Sequence, residues 1–412
     1  MRVVTEHMGS VRSVALGVWI GTGSAAETHE QAGLSHLLEH MLFRGTPSHT
    51  SLEIDQLFDG MGAEVNAGTG RETTSVYSRV LDTHVEQAFT AIAEMVFDPN
   101  LDEADLDSER EIVLEEIAMY EDDAQEKVFD VLGEAIFGSH PFGRPIIGRA
   151  EVVETVKASE LRRFHDERYV GQNVVVAAAG AVDHDRIVEL VAATGAAAGT
   201  PQKPESPASD HAPRRMFFEK DTEQYHVCLG APGIDRHDDR RFALRVLDTI
   251  FGAAGSSRLF QEVREKRGLA YSVSSFSSLY SHTGAVGIYV GTRPDNVEEA
   301  LSVISAEIDR LRIDPASEEE LALAKENAKG RMLLSLESTN ARMNRLGSNL
   351  LADAPILTVD EMEQRFDAVT IDDLRALAEE LYDPARLSAA CVGADEALYR
   401  RALAPLSEKL AA

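Results

Sequence analysis

His36, Glu39 and His40 stand in the run Gly33 to Phe43 with the spacing H-x-x-E-H. Apolar residues at Leu34, Leu37, Leu38, Met41 and Leu42 recur at the spacing of one helical face, which predicts a helix carrying His36, Glu39 and His40 on the opposite face. Imidazoles at i and i+4 project side by side about one turn apart, as two nitrogens must to grip one ion. Glu39 lies close to both in angle and can reach a water on that ion. The order inverts the commoner H-E-x-x-H and points to metal-assisted hydrolysis, with a carboxylate to take the proton of an acidified water. A hydrolytic zinc site has three protein ligands and an open position, and a carboxylate can be the third. The acidic stretch from Ser108 to Glu116 supplies candidates, within a long charged helix expected over 103–120. Glu109, Val113, Glu116 and Tyr120 share one stripe of it, but residue types alone leave Glu115 and Glu116 both open.

Other segments offer less. Gly252 to Ser257 has the glycine content of a phosphate loop but lacks its lysine and a preceding strand, so it reads as the punctuation of a helix end. Cys228 and Cys391, the two cysteines, both lie in apolar runs and are expected as reduced core residues rather than a disulfide or a zinc cluster.

Composition narrows the partners. Forty Lys plus Arg against seventy Asp plus Glu give a formal charge of −30, which excludes a general nucleic-acid or anionic-membrane binder. A cationic substrate is permitted, although a negative surface also simply promotes solubility. No stretch reaches the roughly 18 apolar residues of a membrane span, and the N-terminal residues lack the order of a signal peptide. A cytoplasmic location is therefore expected. Met1 to Glu6 already reads as strand, so the true start could lie upstream and carry a targeting signal.

The chain of 412 residues is too long for one ordinary core. Gly195 to Arg215 is rich in Gly, Ala, Pro and Ser, with four prolines between Pro201 and Pro213, and reads as a linker. The halves on either side are copies. Val156, Leu161, Tyr169 and Gly180 recur as Val369, Leu374, Tyr382 and Gly393, each at an offset of 213. Val85 to Ala88 and Asp98-Pro99 parallel Val297 to Ala300 and Asp314-Pro315, at offsets of 212 and 216. A period this long implies repeated domains. The expectation is an α+β chain of two homologous α/β-sandwich domains, residues 1–198 and 216–412, joined by a linker over 199–215. Val14 to Ile20 is apolar enough for a buried strand, and Glu64 to Val80 contains strand-like alternation. The second copy has no histidine in its matching helix, Phe242 to Phe251.

Taken together, Gly33 to Thr46, the long acidic helix and Arg-Gly-Leu-Ala-Tyr ending at Tyr271 resemble the pitrilysin/insulinase metallopeptidases across essentially the whole chain. The length and two-copy layout are most similar to the subgroup of the mitochondrial processing peptidase and its bacterial relatives. The resemblance implies one zinc per chain, held by His36, His40 and Glu116, the glutamate 76 residues beyond His40. It implies Glu39 as general base on the zinc-bound water, and leaves Glu109 as a carboxylate that orients a ligand or a proton path. It further implies that Arg264 and Tyr271 hold the substrate carbonyl and the developing oxyanion, with Arg267 a competing candidate for the arginine. Asn66 and Ala67 would lie on a strand edge that pairs with extended substrate. Finally, it implies that one chain is half of a clamshell chamber, completed by a homodimer or by a related chain, with the Arg264–Tyr271 pair serving the partner's zinc. The expected function is zinc-dependent hydrolysis of extended peptides or unfolded segments. A non-catalytic core subunit of an assembly is the alternative, and a peptide-binding chaperone with a vestigial zinc is a weaker third.

Overall fold

The computed structural model describes residues 1–194, 199–201 and 212–411. Most of the expected linker, including residues 202–211, lies outside the described residues.

The first half builds a five-stranded sheet from β1 (Arg2–His7), β2 (Ser13–Ile20), β3 (Val65–Thr69), β4 (Thr74–Leu81) and β5 (Val174–Gly180), in the order β1-β5-β2-β4-β3. The second builds β6 (Arg215–Glu219), β7 (Tyr225–Gly233), β8 (Ala270–Leu279), β9 (Gly284–Thr292) and β10 (Ser388–Gly393), in the order β6-β10-β7-β9-β8. Replacing each strand of the first order by its counterpart in the second gives the same topology, with the first and last strands parallel in each sheet. The molecule is thus α+β with two duplicated sheet-containing domains. The expected alternation over 64–80 resolves into the hairpin β3–β4, and β4 alternates between buried and more exposed positions along its length. β2 is central and nearly all buried, because helices cover both faces of its sheet.

One compact unit comprises Met1–Ala118, Arg144–Ser206 and Leu334–Ile356. The inner face of its sheet carries Val14, Leu16, Val18 and Ile20 against α1 (Leu34–Met41) and α2 (Val85–Phe97), together with Leu106 and Val113 of α3 (Glu103–Asp122). The other unit comprises Met119–Gly143, Pro207–Leu333 and Leu357–Ala412. There α4 (Ala124–Phe137) covers the outer face of the second sheet, and Ser388 on β10 donates to the Ala135 carbonyl at 3.0 Å. The same unit holds α5 (Arg241–Phe251), with Leu244, Leu247 and Phe251 in the core. Correspondingly, α6 (Thr339–Leu351) covers the outer face of the first sheet through Met343 and Leu346, which pack on Trp19. A Cβ at Gly347 would lie 2.4 Å from the indole, so only glycine permits this approach. Each unit therefore takes one covering helix from the other half of the sequence.

Cys228 and Cys391 are buried and unbonded, as expected. Gly252 directly follows α5, in keeping with a helix end rather than a phosphate loop. Among the described residues, no helix is long and apolar enough to cross a membrane.

Candidate metal centre

α1 forms where the apolar periodicity placed it: Leu34, Leu37, Leu38 and Met41 are buried, while His36, Glu39 and His40 lie on the partly open face. Burying each large apolar side chain stabilises the helix against the sheet by roughly 1.5–3 kcal/mol, which fixes how the polar face is presented. α3 is anchored by Leu106, Val113 and Ile117. That anchoring turns Glu109 and Glu116 toward α1.

His36, His40 and Glu116 converge. One ligand atom from each lies within 4.8 Å of the others. Nε2 of His36 is 3.6 Å from the Glu116 carboxylate, and Nε2 of His40 is 3.5 Å from it. The edge of a tetrahedron with metal–ligand bonds of ~2.1 Å is about 3.4 Å, so these separations suit a zinc ion with very little adjustment. Burial, and then the neighbouring His40, push the His36 pKa down to about 4. At neutral pH its ring is uncharged and keeps a lone pair for a metal. Nδ1 of His40 bonds to Glu109 at 2.9 Å, and the same carboxylate is paired with Arg44. Glu109, buried and paired with the Arg44 guanidinium, accepts this bond, so Nδ1 carries the proton and Nε2 is left to coordinate. By its donor set and spacing, the cluster fits zinc.

Glu39 stands beside the cluster. Burial raises its pKa above the ordinary carboxylate range, opposed by a hydrogen bond from Thr69 and by the charge of His40. The Thr69 hydroxyl donates to Glu39 at 2.5 Å from the end of β3. Thr69 and Arg44 reach the cluster from elsewhere in the chain, and local sequence spacing does not reveal them. Each acts across the fold on α1 or on α3.

Asn66 and Ala67 lie on β3, which among the described residues pairs only with β4 and so has an open outer edge. Asn66 is exposed and Ala67 partly buried.

In the second unit, Arg264 lies in a π-helical turn, Phe260–Glu265, a form that recurs at functional sites. Its guanidinium stacks over the Tyr271 ring at 4.6 Å. The β8–β9 register breaks between Ala270 and Ser272, so Tyr271 is bulged out of the ladder and its side chain is 78% exposed. Bulges of this kind re-aim a side chain away from the sheet. Arg267, the competing arginine, is instead tied to Glu262 at 2.6 Å.

The sequence matches two family profiles, one described as insulinase (peptidase family M16) over residues 2–150 and one as the peptidase M16 inactive domain over residues 155–328. It is 41% identical over 390 residues to a protein of Streptomyces coelicolor named an uncharacterized zinc protease, covering 92% of this chain and 85% of that one. It is 39% identical over 388 residues to the Bacillus subtilis protein named uncharacterized zinc protease YmxG, covering 93% of each. Among solved structures, a protease from Helicobacter pylori shares the fold with a TM-score of 0.89 at 22% identity, over 95% of this chain and 96% of that one. A chain of complex III2 from Candida albicans shares it with a TM-score of 0.83 at 21% identity, over 98% and 97%. With near-full-length relatives at about 40% identity that are named zinc proteases, the chain belongs to the insulinase family, peptidase family M16.

Proposed function

We propose that this protein is a zinc-dependent endopeptidase acting on extended peptides or unfolded segments. The observation that carries the proposal is the convergence of His36, His40 and Glu116, whose ligand atoms lie within 4.8 Å of one another, with the Glu39 carboxylate beside them. Held by those three side chains, zinc supplies a Lewis acid that acidifies water and polarises a carbonyl. Glu39 accepts the proton of the attacking water and passes it to the leaving amine. Thr69 holds the Glu39 carboxylate, and Glu109 holds His40 in the tautomer that presents Nε2.

The open edge of β3 receives extended substrate by strand addition, with Asn66 and Ala67 against its backbone. A peptide already folded could not offer its main chain in this way. Arg264 and Tyr271 donate to the oxyanion; the exposure of the bulged phenol supports this role. The functional division follows the sequence halves, with zinc chemistry in 1–198 and the arginine–tyrosine pair in 216–412. One zinc is bound per chain. The family resemblance supports a dimer in which the pair of one chain serves the zinc site of the other.

The second reading is a non-catalytic core subunit; the observation on its side is the profile over 155–328, described as the peptidase M16 inactive domain. An intact set of His36, Glu39, His40 and Glu116 weighs against it, because a scaffold has no use for a base beside a metal. The test is cleavage of an unstructured, fluorophore-quenched peptide by protein stripped with a chelator and then given equimolar zinc. Restored cleavage supports the peptidase. Stoichiometric zinc binding without cleavage of any unfolded substrate supports the scaffold.

A further inference from the structure

The start of α1 is capped in an unusual way. A helix begins with amides that have no partner within it, and a Ser, Thr, Asp or Asn at the N-cap commonly satisfies one of them. Here the N-cap is Gly33, at φ +109°, with no side chain to offer. A Cβ there would lie 3.1 Å from both the Gly148 Cα and the Ile147 carbonyl oxygen, so a capping side chain would be crowded as well as strained by the positive φ. The task falls to Glu27, six residues upstream. Its two carboxylate oxygens accept from the Gly33 amide at 2.9 Å and the Ser35 amide at 2.7 Å.

Glu27 is itself held firmly. It is 2% exposed, and its carbonyl accepts from Arg144 at 2.7 Å. The Arg144 carbonyl in turn accepts from Arg71 at 2.7 Å. Arg71 sits in the β3–β4 turn, whose carbonyls at Gly70 and Arg71 accept from the amides of Ser24 and Ala25 at 3.1 and 2.7 Å. The same hairpin carries Thr69, which reaches Glu39. Glu27 thus ties the first turn of the ligand-bearing helix to the hairpin that orients the base. A buried carboxylate is costly to keep, and a pair of backbone hydrogen bonds spanning residues 33 and 35 would fix the rotation of α1 about its own axis.

We propose that Glu27 is a positioning residue for the metal centre, setting the rotation of α1 so that His36 and His40 meet Glu116. The inference rests on the zinc-site reading above. It is tested with the full chain by measuring zinc affinity through chelator competition and the visible spectrum of the cobalt-substituted protein, for wild type and Glu27→Gln. Glutamine keeps the size but turns an amide donor toward one of the two backbone N–H groups. The variant is expected to bind zinc at least about tenfold more weakly, the effect usual for partners that orient ligands, and to shift the cobalt absorption bands. kcat should fall while KM stays near wild type. Wild-type zinc affinity and an unshifted cobalt spectrum, with only a lower melting temperature, would assign Glu27 to stability alone and overturn the proposal. Should the glutamine variant fail to fold, Glu27→Asp retains the carboxyl group but is too short to reach both amides. It too must bind zinc at least about tenfold more weakly, or the proposal is wrong. Failure of the wild-type chain to bind zinc would sink the metal-site reading itself, whereas normal wild-type zinc with unaltered variants sinks only the role of Glu27.

Discussion

Nδ1 of His40 donates to the Glu109 carboxylate at 2.9 Å, and the opposite nitrogen of the same ring faces Glu116 at 3.5 Å. One carboxylate therefore sets the tautomer that leaves Nε2 and the other carboxylate free to share a metal ion. Glu109 is buried and paired with Arg44, a placement suited to orienting the ring rather than to meeting substrate. Glu109→Gln should weaken zinc binding by about 10–100-fold in chelator competition, with a matching loss of turnover at limiting zinc. Unchanged affinity would leave Glu109 with a packing role only.

Glu115 and Glu116 are adjacent, but only Glu116 lies at the histidines, and Glu115 is exposed. Glu116→Ala should lose stoichiometric zinc, because it removes one of three protein ligands, while Glu115→Ala should retain both zinc and activity. Metal analysis after dialysis against a weak chelator separates them. Zinc retained in Glu116→Ala would reassign the third ligand.

Much of this was legible in the residues. The apolar stripe of α1 and the buried run of β2 follow from local periodicity, and the duplicated topology follows from the near-constant offset between the halves, which is why these elements lie where they were expected. The choice of Glu116 over Glu115 needed either the family spacing or the packing of Val113 and Ile117, since a charged helix has no single polar face in sequence. The exchange of covering helices was not readable at all. The apolar positions of α4 and α6 say that each buries a face, but not which sheet receives it. Thr69, Arg44 and Glu27 were missed for a related reason: they reach the site through chain reversals, and a lone threonine, arginine or glutamate carries no signal of its destination. The bulge at Tyr271 was likewise invisible, because it depends on register with β9.

Acidity offers an independent test of the cap on α1. In the metal-free protein, burial raises Glu27 from its ordinary 4.5 to about 7, although the amides of Gly33 and Ser35 and the charge of Arg144 pull it down. A carboxyl with a raised folded pKa gives its full stability below the unfolded pKa and loses it as pH rises through the folded one. Wild-type stability should therefore fall, relative to the non-titrating Glu27→Gln variant, between pH 4.5 and about 7. The difference should grow by up to about 3 kcal/mol in denaturant unfolding. A pH-independent difference would mean that Glu27 does not change its protonation in that window.

The proposed dimer can be checked by mixing two inactive proteins, Glu39→Gln and the double variant Arg264→Ala/Tyr271→Phe. If the arginine–tyrosine pair serves the partner's zinc, exchanged dimers regain one working centre of two. If each chain completes its own site, activity stays at the level of the separate variants even when mass measurements verify exchange. A protein that remains monomeric at working concentrations would also contradict the shared site.

The sharpest single measurement is zinc content alongside peptide turnover in purified Glu39→Gln. Glutamine preserves the hydrogen bond from Thr69 and the size of the side chain, but it cannot take a proton. One zinc per chain should remain while turnover of an unstructured peptide drops by about 10²-fold or more against wild type. Near-wild-type turnover with zinc retained would contradict a hydrolytic centre in which Glu39 is the base.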